Sequence, residues 1–219
     1  MNIRTFIHQS ILVTLLVLAM IGCQTANPVD PVNSTGTAAL KSQSVPSEAL
    51  PPLVGNTSNT VQNLNFITLP RPLLWPPSAS ARTASGTISA ANGGTVNLSY
   101  SYLGPLILPI TVKATLTIPP GAIPQNTTIT MTMDQSRVLV YFSPDGLVFS
   151  KPALLDVKVT GLTLSNLLFG QQAGCYWYDS NKQIWVQMPA QSIVSDLLHL
   201  TFVAQSAQVP HFSRYGFGR

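Results

Sequence analysis

The strongest constraint on this chain is a strict two-residue alternation of apolar and polar side chains. Ile110, Val112, Ala114, Leu116 and Ile118 alternate with Thr111, Lys113, Thr115 and Thr117. Successive side chains of an extended chain point to opposite faces, so this pattern makes one dry face and one wet face; wound on a helix it would have no dry side. Ile129, Met131 and Met133 repeat the arrangement around Thr130 and Thr132, as do Leu155, Val157 and Val159 around Asp156 and Lys158. Turn chemistry separates the runs. Pro119, Pro120 and Gly121 close the first, and Pro144, Asp145 and Gly146 precede the last, Pro fixing φ and Gly accepting positive φ. Further strands are expected at residues 94–102, 138–142, 175–178, 184–188, 198–204 and 212–217, with a hairpin loop at 179–182 and one helical turn within 162–169. Short strands at this spacing predict an all-β fold, a two-sheet β-sandwich spanning residues 84–219.

Polarity limits what such a domain can do. Only 8% of the 219 residues are charged, against about 25% in an average soluble domain. Eleven basic and seven acidic side chains give +4, too sparse for the basic stripe that neutralises a run of phosphates, so nucleic acid is not an expected partner. The same scarcity leaves few acids, bases and metal ligands and argues against an enzyme. His199 and His211 stand apart, and Asp145 and Asp179 fall in turns where Asp is common, so no metal and no cofactor is expected. Ser195, Asp196 and His199 contain the residue types of a hydrolytic triad, but triads are defined by geometry, and no Gly-x-Ser-x-Gly elbow supports one.

The N-terminus reads as an address. Arg4 supplies a cationic start, residues 11–21 are apolar, and Gly22 and Cys23 follow. The apolar run is too short to span a bilayer, which takes roughly 20 residues. Met20, Ile21, Gly22 and Cys23 resemble the lipobox of bacterial lipoproteins, with Met where Leu is usual. The resemblance implies cleavage after residue 22, a diacylglycerol on the Cys23 thiol and acylation of the new amine, which together exceed the two lipid signals that stable anchoring needs. Gln24 is not the Asp that retains enterobacterial lipoproteins in the inner membrane, so the implied destination is the outer membrane where the cell has one. Loss of residues 1–22 takes Arg4 and leaves ten basic against seven acidic side chains, a net +3. Only Cys23 and Cys175 are present, so acylation of the first leaves Cys175 a buried strand thiol without a disulfide.

Residues 23–63 carry Pro28, Pro31, Pro46, Pro51 and Pro52 among Ser, Thr, Asn and Gly with no apolar period, the composition of a disordered tether. A coil of about 40 residues spans roughly 35 Å root-mean-square. Residues 64–83 form a proline-rich strap: Leu64, Phe66, Ile67, Leu69, Leu73, Leu74 and Trp75 are interrupted by Pro70, Pro72, Pro76 and Pro77, which excludes a helix or a central strand. The strap is expected to pack in extended form on the domain, the alternative being an exposed docking peptide.

Four motifs and a tryptophan, in order, resemble a known module. Leu116 to Ile123 with its Pro-Pro-Gly turn, Thr127 to Thr130, Phe142 to Pro152 with its Ser-Pro-Asp-Gly reversal and Phe149, then Trp185 and the closing His211, Phe212, Ser213, Arg214 and Tyr215 are similar to the ZU-five β-sandwich of ankyrins and Unc-five netrin receptors, which bacterial surface proteins also contain. The resemblance covers residues 86–219, and beside it Phe149 and Trp185 are of a size suited to the core. The spectrin and death-domain functions of its animal members are not carried over. In some of those members a His-Phe-Ser sequence cuts itself. Carried over, that activity would make Ser213 the nucleophile of an N-to-O acyl shift, His211 its general base and Phe212–Ser213 the scissile bond. The same residues otherwise form an ordinary last strand.

A third use of the domain is binding. Tyr176 and Tyr178 are expected to face outward from a strand whose Trp177 faces the core, giving an aromatic platform for sugars or peptides beside Trp185. The expectation is therefore a lipid-anchored cell-envelope protein, held to the membrane through Cys23, with a non-enzymatic scaffolding or protein-recognition role and a protein partner in the envelope. A self-cleaving domain and a carbohydrate-binding module are the alternatives.

Overall fold

A computed structural model describes residues 60–219. The leader, Cys23 and residues 24–59 of the tether lie outside the described residues. The first half of the chain order is β1 (Thr60–Val61), β2 (Thr83–Ile88), β3 (Gly94–Leu103), β4 (Pro109–Ile118), β5 (Thr127–Met133) and β6 (Leu139–Ser143). The second is β7 (Val148–Thr160), α1 (Leu164–Gly170), β8 (Gly174–Asp179), β9 (Ile184–Met188), β10 (Ser192–Asp196), β11 (Thr201–His211) and β12 (Arg214–Gly218). Two antiparallel sheets pack as a sandwich. One has seven strands in the order β1-β9-β8-β12-β6-β5-β2 and the other five in the order β10-β11-β7-β4-β3.

The alternating runs place the core. Val112, Ala114 and Leu116 of β4 and Val157 and Val159 of β7 are buried on the inner face of the five-stranded sheet. Opposite them Ile129, Met131 and Met133 of β5 and Tyr215 and Phe217 of β12 are buried as well. Each such side chain removed from water contributes roughly 1.5–3 kcal/mol. Outward positions of β2 and β5 carry hydroxyls in place of charges. Thr83 pairs with Thr132, Ser85 with Thr130 and Thr87 with Thr128 at 2.8–3.1 Å, a cross-strand ladder that joins β2 to β5 without ions.

Two expectations about strands need correction. Residues 198–204 are not one strand: β10 ends at Asp196, whose Oδ1 accepts the backbone N–H groups of Leu198 and His199 at 3.0 Å, and the turn so formed leaves Leu198 exposed. Ordered pairing also starts before residue 64, since Thr60 and Val61 lie opposite Val186 and Trp185.

The segment after β1 runs extended across the sandwich. Asn65 exchanges two 3.0 Å backbone hydrogen bonds with Arg219, Ile67 donates to Phe217 at 2.9 Å, and Leu69 donates to Ser136 at 2.8 Å. Leu64, Ile67 and Leu69 are buried against the domain, and Tyr102 holds Pro70 through a hydroxyl bond to its carbonyl. Beyond Pro70 the apolar side chains turn outward: Leu73, Leu74 and Trp75 are exposed, while the Leu73 N–H still donates to the Leu103 carbonyl at 2.8 Å.

Cys175 is fully buried in β8. Burial disfavours the thiolate and pushes the thiol pKa up to about 12. In a chain carrying Cys23→Ser, thiol reagents are expected to leave Cys175 unlabelled in native buffer at mildly alkaline pH and to label it on denaturation. Rapid labelling of the native chain would contradict this packing.

Candidate functional site

The His211-Phe212-Ser213 motif spans the tight connection from β11 to β12, and its three side chains diverge. Phe212 is buried, stacked on Phe142 at 5.0 Å between ring centroids and meeting Phe149 edge-on at the same distance. Its N–H donates to Leu147 at 2.7 Å, and its carbonyl accepts the Gly146 N–H at 3.1 Å. Ser213 donates its hydroxyl to the Tyr178 carbonyl at 3.1 Å. The His211 ring meets Trp177 edge-on at 4.5 Å, and the His211 carbonyl accepts the Tyr215 hydroxyl at 2.6 Å. Burial drives the Tyr215 pKa far upward, and the bond to His211 opposes that only in part, so this hydroxyl remains a neutral donor.

Chemically, one component of an acyl shift is present and two are not assembled. Gly146 N–H polarises the Phe212 carbonyl and lies where an oxyanion would form. Among the described residues no hydrogen bond joins His211 to Ser213, and the Ser213 proton is directed at Tyr178. The positive-φ residues of the domain do not include 211, 212 or 213, so left-handed backbone strain is not stored at this bond. Topology adds a further condition. β12 lies between β8 and β6 inside the seven-stranded sheet, so a piece cut at residue 213 would stay held by backbone ladders on both sides.

The aromatic platform is corrected by the structure. Tyr176 is 8% exposed, packed with Leu64, Leu139 and Trp185 in a small apolar cluster on the outer face of the seven-stranded sheet. Residues 64–66 cover that face, which is why outward alternation does not make Tyr176 open. Trp177 faces the core as expected, packed against it and partly buried. Tyr178 is partly buried too, with the Arg214 guanidinium 3.8 Å from the centre of its ring, so its accessible face already has a cation. Phe149 and Trp185 are buried.

Ser195, Asp196 and His199 do not form a triad. Asp196 Oδ2 lies 2.6 Å from His199 Nδ1, but Ser195 is the neighbouring strand residue and points to the other side, towards Gly170, where its buried hydroxyl has no hydrogen-bond partner. The exposed Asp196 carboxyl is held below the usual range by the His199 backbone N–H first and the His199 ring second. Among the described residues no cluster of three His, Cys, Asp or Glu side chains could hold a metal ion. The acids serve the backbone instead: Asp134, Asp179 and Asp196 each accept backbone N–H groups that close a turn, and Asp156 accepts the Ser206 N–H at 2.7 Å.

A feature that alternation alone did not reveal lies on the outer face of the five-stranded sheet. Lys113 of β4 and Lys158 of β7 are directly opposite in register. Like charges placed so oppose each other. Most other cations among the described residues are engaged: Arg82 on Met133, Lys151 on Pro120, Lys182 on Asp179, and Arg137, Arg214 and Arg219 on aromatic rings. The two lysines make no ion pair or hydrogen bond. They border a depression of about 420 Å³ that also includes Thr115, Asp156, Gln205 and Ser206. A β-bulge between Ala204 and Ala207, with Ser206 at φ 50°, shapes one wall and aims the Ser206 N–H at Asp156. Sequence reasoning saw two outward lysines; only the strand register brings them together.

Comparisons with protein-family models, with curated proteins and with solved structures found no match to this chain. No helix among the described residues is long and apolar enough to cross a membrane.

Proposed function

We propose that this chain is a lipid-anchored cell-envelope protein, held through Cys23 at the outer membrane where the cell has one, whose ZU-five-like sandwich recognises a protein partner without catalysing a reaction. The observation that carries the recognition role is the juxtaposition of Lys113 and Lys158, unpaired beside a bulged depression in a domain otherwise poor in charge. Acidic side chains of a partner would relieve the repulsion between the two ammonium groups and add charge-assisted hydrogen bonds. The use of the acids to build turns supports a non-catalytic reading.

A photo-crosslinking residue at position 158 tests it in cells. One defined protein adduct is expected there, none from a crosslinker at Thr87 on the outer face of the other sheet, and loss of the adduct with Lys113→Glu. Absence of an adduct at 158, or the same adducts at both positions, contradicts the proposal.

A further inference from the structure

Exposed apolar side chains are segregated in this molecule. All but Tyr141, Val148 and Val194 of the exposed large apolar side chains among the described residues lie on four chain segments. The end of the strap presents Leu73, Leu74 and Trp75, and the β3–β4 connection presents Leu103, Ile107 and Leu108. The others, Leu164, Leu168, Leu197 and Leu198, are on α1 and the β10–β11 turn. These segments meet at one end of the five-stranded sheet. Leu73 N–H bonds to Leu103, Gly161 and Leu162 N–H groups bond to Leu200, and a Cβ on Gly161 would lie 2.4 Å from the Pro109 carbonyl oxygen.

We propose that this end docks on a lipid bilayer, with Leu74, Trp75 and Ile107 entering the boundary between headgroups and acyl chains. Trp75 is 85% exposed and Ile107 70% exposed. Residues 72–81, 103–112 and 161–173 contain no Asp, Glu, Lys or Arg; Arg71, Arg82 and Lys113 flank them, and the fourth segment carries the exposed Asp196 and His199 pair. Entry into lipid penalises unpaired backbone N–H groups, and Leu74, Trp75 and Ile107 donate to no backbone carbonyl among the described residues, which limits their insertion to the headgroup boundary. Pro72, Pro76, Pro77, Pro105 and Pro109 carry no N–H, and the tip closes on itself through Gly104 N–H to Leu108 at 2.9 Å and Leu108 N–H to Pro105 at 3.4 Å. Ile107 sits at φ 60°, a left-handed conformation costly for a β-branched residue, and this backbone holds its side chain outward. Tryptophan belongs at the membrane interface, where its ring has one apolar and one polar side. The choice of a bilayer over a second copy of the chain rests on the anchoring proposed above: a lipid on Cys23 would hold the domain, 36 residues further along the chain, at high effective concentration beside a bilayer.

The test uses the chain from residue 23 onward with Cys23→Ser, so that acylation plays no part. With phosphatidylcholine vesicles it is expected to co-float, to show a blue-shifted Trp emission and to be quenched by lipids brominated on the acyl chain. Anionic lipid and added salt should change binding little. The triple variant Leu74→Ser, Trp75→Ser, Ile107→Ser should lose partitioning by about tenfold or more, since each apolar side chain contributes at least that order when fully buried. These side chains are exposed, so the variant should fold, and an unreactive native Cys175 verifies that it has. No co-flotation, equal binding by the folded triple variant, or self-association abolished by the same substitutions would overturn the proposal, the last indicating a second copy as the occupant. Incorporation of tagged palmitate at Cys23 in the intact protein is scored separately, so failed docking and failed anchoring are distinguishable.

Discussion

Phe212→Ala is expected to destabilise the domain by about 3–5 kcal/mol, the cost of deleting a buried aromatic ring and leaving a cavity. Its ring joins Phe142 of β6 to Phe149 of β7, and therefore links the two sheets at the corner where β11 turns into β12. Urea unfolding followed by fluorescence measures the loss. Ser213→Ala removes one hydroxyl bond to the Tyr178 carbonyl and should cost about 1 kcal/mol. The ranking separates two uses of one motif. A structural corner puts the large effect on Phe212, and neither the parent nor either variant yields a cleavage product. A self-cleaving corner puts the decisive effect on Ser213, whose loss would remove a cleavage product.

Gly218→Val should have a comparable effect by a different route. A Cβ at position 218 would lie 2.1 Å from the Asn65 carbonyl oxygen, a clash with backbone that no rotamer relieves. Asn65 is bonded in both directions to Arg219, so the strap must lift away from the end of β12. Lifting it exposes Tyr176 and withdraws Leu64 from the small cluster above the seven-stranded sheet. A loss of about 3 kcal/mol is expected from such overpacking, with new protease cleavage within residues 60–77. Gly121→Ala serves as a control. Its Cβ would meet nothing within 4 Å, so only the strain of its φ of 71° is charged against it. Equal stability of Gly218→Val and the parent would contradict the seating of the strap.

Where side-chain alternation governs structure, the sequence was readable. β4, β5 and the second half of β7 follow from the pattern alone, because shifting register by one residue would bury Thr and Lys and expose Val and Leu. Leu198 shows where the reading fails: an apolar residue suggested a continuing strand, but the Asp196 carboxylate captures two backbone N–H groups and turns the chain. Tyr176 shows another limit. Periodicity names the face on which a residue sits and is silent on what covers that face, here residues 64–66 arriving from a distant part of the chain. The Lys113 and Lys158 pair and the apolar end were hidden for the same reason. Each gathers residues far apart in sequence through register and loop placement, which composition and local spacing do not encode.

The central claim is a non-cleaving sandwich tethered through an acylated Cys23, and denaturing intact-mass measurement on the protein extracted from membranes tests it most directly. The predicted result is a single species that begins at Cys23 with acyl groups attached and ends at Arg219. A chain that retains residues 1–22, a free thiol at Cys23, or a separate heptapeptide comprising residues 213–219 would contradict it.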